Sequence, residues 1–189
     1  MPKRAKVDKE LLPILDDYNL FLDKEKAIDM PFLVDQIDVN HPTSLKGETE
    51  LSALHPLGKT MLQCKMRNKS EYNYSFSILS DKISSKMLFR LDEGDGTHWN
   101  RHLSVPVEQQ QVPTPHFHKK GDDGIEYAYR TEKLEKCSTP LNIHEGFEIL
   151  CEELHINKDE RAEVNILEAG VSLFEFDQEK DPLNGISFP

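Results

Sequence analysis

The chain has 189 residues, with 34 acidic against 23 basic side chains and a net charge of −11. That length supports one domain with a real core and an appended segment, and the charge excludes general binding of nucleic acid, double-stranded DNA included, because phosphate affinity comes from Lys and Arg. No apolar run approaches the roughly 20 residues that cross a bilayer, the basic Met1–Lys6 leads into Asp8-Lys9-Glu10 and not into the apolar core of a secretory signal, and Cys64, Cys137 and Cys151 lack metal-type spacing, so a cytoplasmic protein with free thiols and no membrane partner is expected.

In chain order, the first element is a helix over Asp8–Lys24. Leu11, Ile14, Leu15, Tyr18, Phe21 and Leu22 recur at helical spacing, and Pro13 is tolerated near a first turn. Residues 27–57 are mixed. Phe32-Leu33-Val34 and Ile37-Asp38-Val39 read as short strands, interrupted by His41-Pro42 and His55-Pro56. From Met61 an alternation becomes clear: Leu62, Cys64 and Met66, then Tyr72, Tyr74, Phe76 and Ile78, then Met87, Phe89 and Leu91, separated by short polar turns. Three period-2 segments in a row imply an antiparallel meander. Residues 93–112 form a long irregular connection carrying His98, the sole tryptophan Trp99, Asn100, Arg101 and His102, and long connections inside compact domains are functional or disordered.

Gly121-Asp122-Asp123-Gly124 is turn chemistry between two strand-like runs, Pro115–Lys120 and Ile125–Arg130. If those four residues are the loop, Lys120 faces Ile125, Lys119 faces Glu126, His118 faces Tyr127, Phe117 faces Ala128 and His116 faces Tyr129. Two histidines and two tyrosines then share one face of the sheet. A slip of one residue would break that set. A second helix spans Ile143–His155, with Asn142 as N-cap, Glu145 in capping-box spacing, and a stripe of Ile143, Phe147, Leu150, Cys151 and Leu154. Beyond Asn157 the chain is acidic, with one apolar run at Val171–Phe174 and a tail over Lys180–Pro189.

The expected fold is α+β: an antiparallel sheet of about five strands, strongly twisted or half-closed into a barrel, packed with the two amphipathic helices. Its expected organisation is an N-terminal helix and extended segment (1–57), a meander-plus-helix core domain (58–158) and an acidic C-terminal extension (159–189).

Arg90-Leu91-Asp92, His98-Trp99-Asn100, Pro115-His116-Phe117-His118, the Gly/Asp turn and Tyr127-Ala128-Tyr129 follow in order. This series resembles an uncharacterised family of small bacterial proteins known only as a domain of unknown function, over about residues 60–158. The chain departs from that pattern at Arg101-His102 and at Lys119-Lys120. The resemblance implies that the His-rich segment is a unit and brings no activity with it.

Three functional readings stay open. His116 and His118, with Tyr129 or Tyr127, His98 on the loop and Arg90 for charge, would make an acid–base site for RNA or nucleotide phosphodiesters, as in small bacterial toxin–antitoxin or phage-defence nucleases. Lys119, Lys120 and Arg101 would supply local phosphate affinity, and the site would need no cofactor. Alternatively His116 and His118, completed by His98 or His102 and by Asp92, would hold zinc or another divalent metal. In the third reading the histidine–tyrosine face is structural, and the acidic chain is a regulatory module that docks on a basic protein. Arg90 and Asp92 also fit a plain ion pair, His144 and His155 solvated positions, and Cys151 the core. Motifs for covalent hydrolysis are absent.

Overall fold

The computed structural model describes residues 7–28, 32–52, 57–83, 87–94, 96–101, 106–137, 139–158 and 164–166. His102, the run at 171–174 and the tail at 180–189 lie outside the described residues. A 3-10 turn at Leu12–Ile14 leads into α1 (Leu15–Asp23), followed by β1 (Lys26–Ile28), β2 (Phe32–Val34), β3 (Gln36–Asp38) and β4 (His41–Leu51). Next come β5 (Thr60–Met66), β6 (Tyr74–Ser80), β7 (Met87–Asp92), β8 (His98–Trp99), β9 (Gln111–Val112), β10 (His116–Lys120) and β11 (Glu126–Tyr129). The chain continues through α2 (Glu132–Lys136), α3 (Ile143–Glu153), β12 (Ile156–Lys158) and β13 (Val164–Ile166).

Mixed helix and strand content is as expected, but the antiparallel sheet has seven strands, not about five, in the order β11-β10-β7-β6-β5-β4-β3, and it is not closed. The two extra strands are β3, read as a short isolated run, and β4, which was not anticipated. In β4 the buried residues are Ser44, Leu45, Gly47, Thr49 and Leu51, and only two of these five carry a large apolar group, so the period-2 signal is faint. Both strands come from residues 1–57 and join the meander's sheet, and Leu45 and Leu51 of β4 lie in the same core as the meander.

One face of the sheet is the core face. Leu62, Cys64, Phe76, Ile78, Phe89, Leu91 and Phe117 are buried on it, and α3 lays Phe147 against Phe32 and Phe76 at centroid distances of 5.8 and 5.7 Å. The N-cap of α3 is as read: the Asn142 carboxamide oxygen accepts from the Glu145 N–H at 3.0 Å. The helix at the N-terminus begins later than expected, at Leu15, because Pro13 sits in the preceding 3-10 turn and its ring blocks continuation of an α-helix through it. Cys64 and Cys151 are buried free thiols. Two small parallel pairs, β1 with β12 and β2 with β13, join residues 26–34 to residues 156–166.

Candidate metal centre

The hairpin of β10 and β11 is real, but its register differs from the expectation by one residue. Lys120 pairs with Glu126, Lys119 with Tyr127, His118 with Ala128 and Phe117 with Tyr129. The loop has five residues, closed by the Gly121 N–H donating to the Ile125 carbonyl at 2.9 Å. Tyr127 and Tyr129 are therefore on the core face with Phe117, whose ring is 5.6 Å from that of Tyr129. Tyr129 donates to Glu153 at 2.7 Å and takes no part in a site with the histidines. Lys119 lies on the same core side, with its ammonium 4.9 Å from the Tyr129 ring, so it is not a phosphate contact beside them. Arg101 stacks over Trp99 at 5.5 Å.

The histidine face is built by three strands. On its inner side β10 pairs with β7, His116 opposite Asp92 and His118 opposite Arg90. On its outer side the corrected register puts Ala128 and Glu126 on this face. The long connection then folds over it. His98 pairs with Val112 and Trp99 with Gln111, and alternation turns His98 and Asn100 inward while Trp99 stays 40% exposed. The His98 ring stands edge-on to His118 at 4.7 Å and tilted to His116 at 6.0 Å. The structure thus brings His98, His116, His118, Arg90 and Asp92 together. Sequence reasoning missed Glu126, assigned to the other face by the same register slip; grouping Tyr127 and Tyr129 with Phe117 as one apolar face would have found it.

The ring nitrogens of His98, His116 and His118 that could bind a metal all lie within 4.8 Å of one another. His116 Nδ1 is 3.1 Å from the Pro113 carbonyl, which fixes that nitrogen as the N–H and leaves Nε2 with its lone pair. Burial, then the neighbouring His118 charge, lowers the His116 pKa to about 4. His116 Nε2 faces His118 Nε2 at 2.9 Å, and His118 Nε2 is also 3.1 Å from Asp92 Oδ2 and 3.2 Å from Arg90 Nη2. Behind it His118 Nδ1 lies 3.1 Å from Glu126 Oε1. Burial acts to lower the His118 pKa, yet the carboxylates of Asp92 and Glu126 outweigh it and raise the group. Burial also lowers His98, with His118 adding to the effect. Against burial, His118 and Arg90 hold Asp92 below the usual carboxylate range and Glu126 down at about 2.

With the His116 proton on Nδ1 towards Pro113 and the His118 proton on Nδ1 towards Glu126, two Nε2 lone pairs face each other at 2.9 Å, and either a second proton on His118 or a cation relieves them. Tetrahedral zinc with Zn–N of about 2.0–2.1 Å sets ligand nitrogens about 3.3 Å apart; the two strand histidines stand at 2.9 Å, and all three histidines lie within 4.8 Å. A histidine ligand whose other nitrogen meets a carbonyl or carboxylate is the usual outer arrangement of metal sites, and Pro113 and Glu126 stand in those positions. The acceptor Asp92 Oδ1 is buried without a hydrogen-bond partner, and such an atom calls for an ion or a water. Arg90 does not oppose a cation with its full charge, because its guanidinium lies 2.9 Å from Asp92 and 3.5 Å from Glu126. The residues therefore fit a borderline-soft divalent ion. Comparisons of the chain with protein families, with curated proteins and with solved structures find no match.

Proposed function

We propose that this protein binds a first-row transition metal ion, zinc in the first instance, through His98, His116 and His118, with Asp92 as the carboxylate ligand. The observation that carries this reading is the convergence of three histidine nitrogens within 4.8 Å on a face where His116 and His118 are only 4% and 1% exposed. Imidazole and carboxylate together suit zinc and its neighbours better than magnesium or calcium, which prefer all-oxygen sites. Pro113 and Glu126 orient the two strand histidines, while the half-buried His98 leaves the loop side as the approach for a water or a substrate oxygen. A zinc ion there would lower the pKa of such a water.

The test is elemental analysis of protein purified without chelator, followed by titration with zinc. One ion per chain is expected, lost in His116→Ala/His118→Ala. A wild-type chain that retains and titrates no ion overturns the reading.

A second reading uses the same residues without metal, as an acid–base site on an RNA or nucleotide phosphodiester. What favours it is the opposite shift of two adjacent histidines, His116 down to about 4 and His118 up, beside Arg90 at 3.2 Å. Opposed pKa values are how an acid and a base are set up in one site. The burial of both rings weighs against it, since a phosphate must reach them. RNA cleavage by wild-type protein in excess chelator, abolished in His118→Ala, would favour this reading. Neither ion nor cleavage would leave the acidic docking module.

A further inference from the structure

We infer that Asn100 is the positioning residue for His98: it latches the long connection onto the edge of the sheet, so that His98 is held over the other two ligands. The inference rests on the metal-binding reading for its role and on the following geometry for its mechanism.

β11 is the last strand of the seven-stranded sheet, so among the described residues its outer backbone groups have no strand to pair with. At Ala128 those groups are buried, and an unsatisfied buried N–H or C=O is costly. Asn100 supplies both partners from one carboxamide. Its Nδ2 donates to the Ala128 carbonyl at 2.6 Å, and its Oδ1 accepts from the Ala128 N–H at 2.8 Å. The side chain thereby acts as a one-residue strand. Ala128 is the residue paired with His118 across the hairpin, so the latch closes directly beside the central histidine. The Asn100 N–H donates to the Gln110 carbonyl at 2.8 Å, which carries the β8–β9 pairing through to the latch.

Two residues before Asn100, on the same side of an extended segment, His98 must point the same way. A carboxamide is the shortest side chain that offers a donor and an acceptor in a fixed plane. Aspartate keeps only the acceptor, and alanine keeps neither. Asn100 makes its hydrogen bonds to Ala128 and to the Gln110 carbonyl. Its effect runs through His98, in the way that partners outside the ligand set hold ligands in place.

The test compares wild type, Asn100→Ala, Asn100→Asp and His98→Ala in two measurements: Co²⁺ titration followed by the visible spectrum, and proton NMR of the metal-free proteins. Asn100→Ala is expected to bind Co²⁺ about 10–100-fold more weakly, with a spectrum like that of His98→Ala, and to lose the NOE between the His98 and His118 rings while core dispersion stays. Asn100→Asp falls between, and it carries the comparison if the alanine variant does not fold. Co²⁺ binding and a ring NOE unchanged in both variants overturn the inference, even if their melting temperatures fall. Failure of the wild type to bind Co²⁺ overturns the metal reading instead, and the NOE comparison then decides by itself whether Asn100 positions His98.

Discussion

At Tyr18 a single oxygen closes a gap in the sheet. The pairing of β10 with β7 ends at His118 opposite Arg90, and the next facing groups, the Lys120 N–H and the Leu88 carbonyl, do not meet. The Tyr18 hydroxyl sits between them, accepting from Lys120 and donating to Leu88, both at 2.9 Å. The ring is fully buried, and burial raises its pKa, so the donor persists well above neutral pH. Tyr18→Phe keeps the packing and orphans two backbone groups, a loss of about 1–3 kcal/mol. Urea denaturation would show it as a lower midpoint at unchanged slope; an unchanged midpoint would mean that water takes the place of the hydroxyl. None of this was legible in the sequence, where Tyr18 reads only as one more position of an apolar stripe. The hairpin register is decided at the same scale. Gly121-Asp122-Asp123-Gly124 marks the turn, but Ile125 belongs to it as well, and no residue type separates a four-residue from a five-residue loop. The face of every side chain in β11 depended on that one residue.

Helices and strands meet at Lys26, the first residue of β1. Its buried ammonium donates to the Leu22, Lys24 and Leu154 carbonyls at 3.1, 2.7 and 2.7 Å. The first two are at the end of α1 and the third caps α3, so one cation satisfies the carbonyl ends and the negative dipole ends of two helices. Lys26→Met leaves those carbonyls without it and is expected to lower stability by about 2–3 kcal/mol at neutral pH. Burial also pulls the Lys26 pKa from its ordinary 10.5 down to about 8. Between those two values the folded chain holds fewer protons than the unfolded one, so on top of its contribution at neutral pH this group adds stability as pH rises from about 8 towards 10.5, and that increment alone is lost as pH falls back through 8. The gap in urea midpoint between wild type and Lys26→Met should therefore widen from pH 7 to pH 10, and taking the difference removes the titration of other groups. A gap independent of pH would mean that the three carbonyls hold the pKa at its ordinary value. Strand β4 gives a third check. A Cβ built on Gly47 would lie 2.0 Å from the Leu33 carbonyl oxygen, where β2 crosses. Backbone cannot yield as a flexible side chain does, so Gly47→Ala should cost at least about 1–3 kcal/mol, read from thermal melts; a melt matching wild type would show that β2 can move aside.

For the molecule as a whole, legibility followed sequence distance. The meander from Met61 to Asp92 was readable because each strand pairs with the next. The parallel pairs of Lys26 with Ile156 and Phe32 with Val164 join segments about 130 residues apart through three-residue strands, too short to carry a period. The candidate site shows both regimes. His116 and His118 announce themselves two residues apart, whereas their union with His98 depends on the path of the connection, which the latch at Asn100 fixes and no local pattern encodes. Such a site links two parts of the chain, so an ion bound there stabilises the whole fold by mass action. An ion that binds the folded chain and not the unfolded one adds RT ln(1 + [L]/Kd), about 2.7 kcal/mol at 100 times Kd. Zinc should accordingly raise the melting temperature in a concentration-dependent way, and EDTA should reverse the rise. The gain should shrink under acidic conditions, because protons compete for the histidine nitrogens. His116→Ala/His118→Ala should melt at one temperature with or without zinc. The charge of −11 would let cations collect weakly over the surface and screen its self-repulsion, so magnesium at equal ionic strength is the control. A rise produced equally by magnesium, or one that survives the double substitution, would assign the effect to surface screening and not to the three histidines.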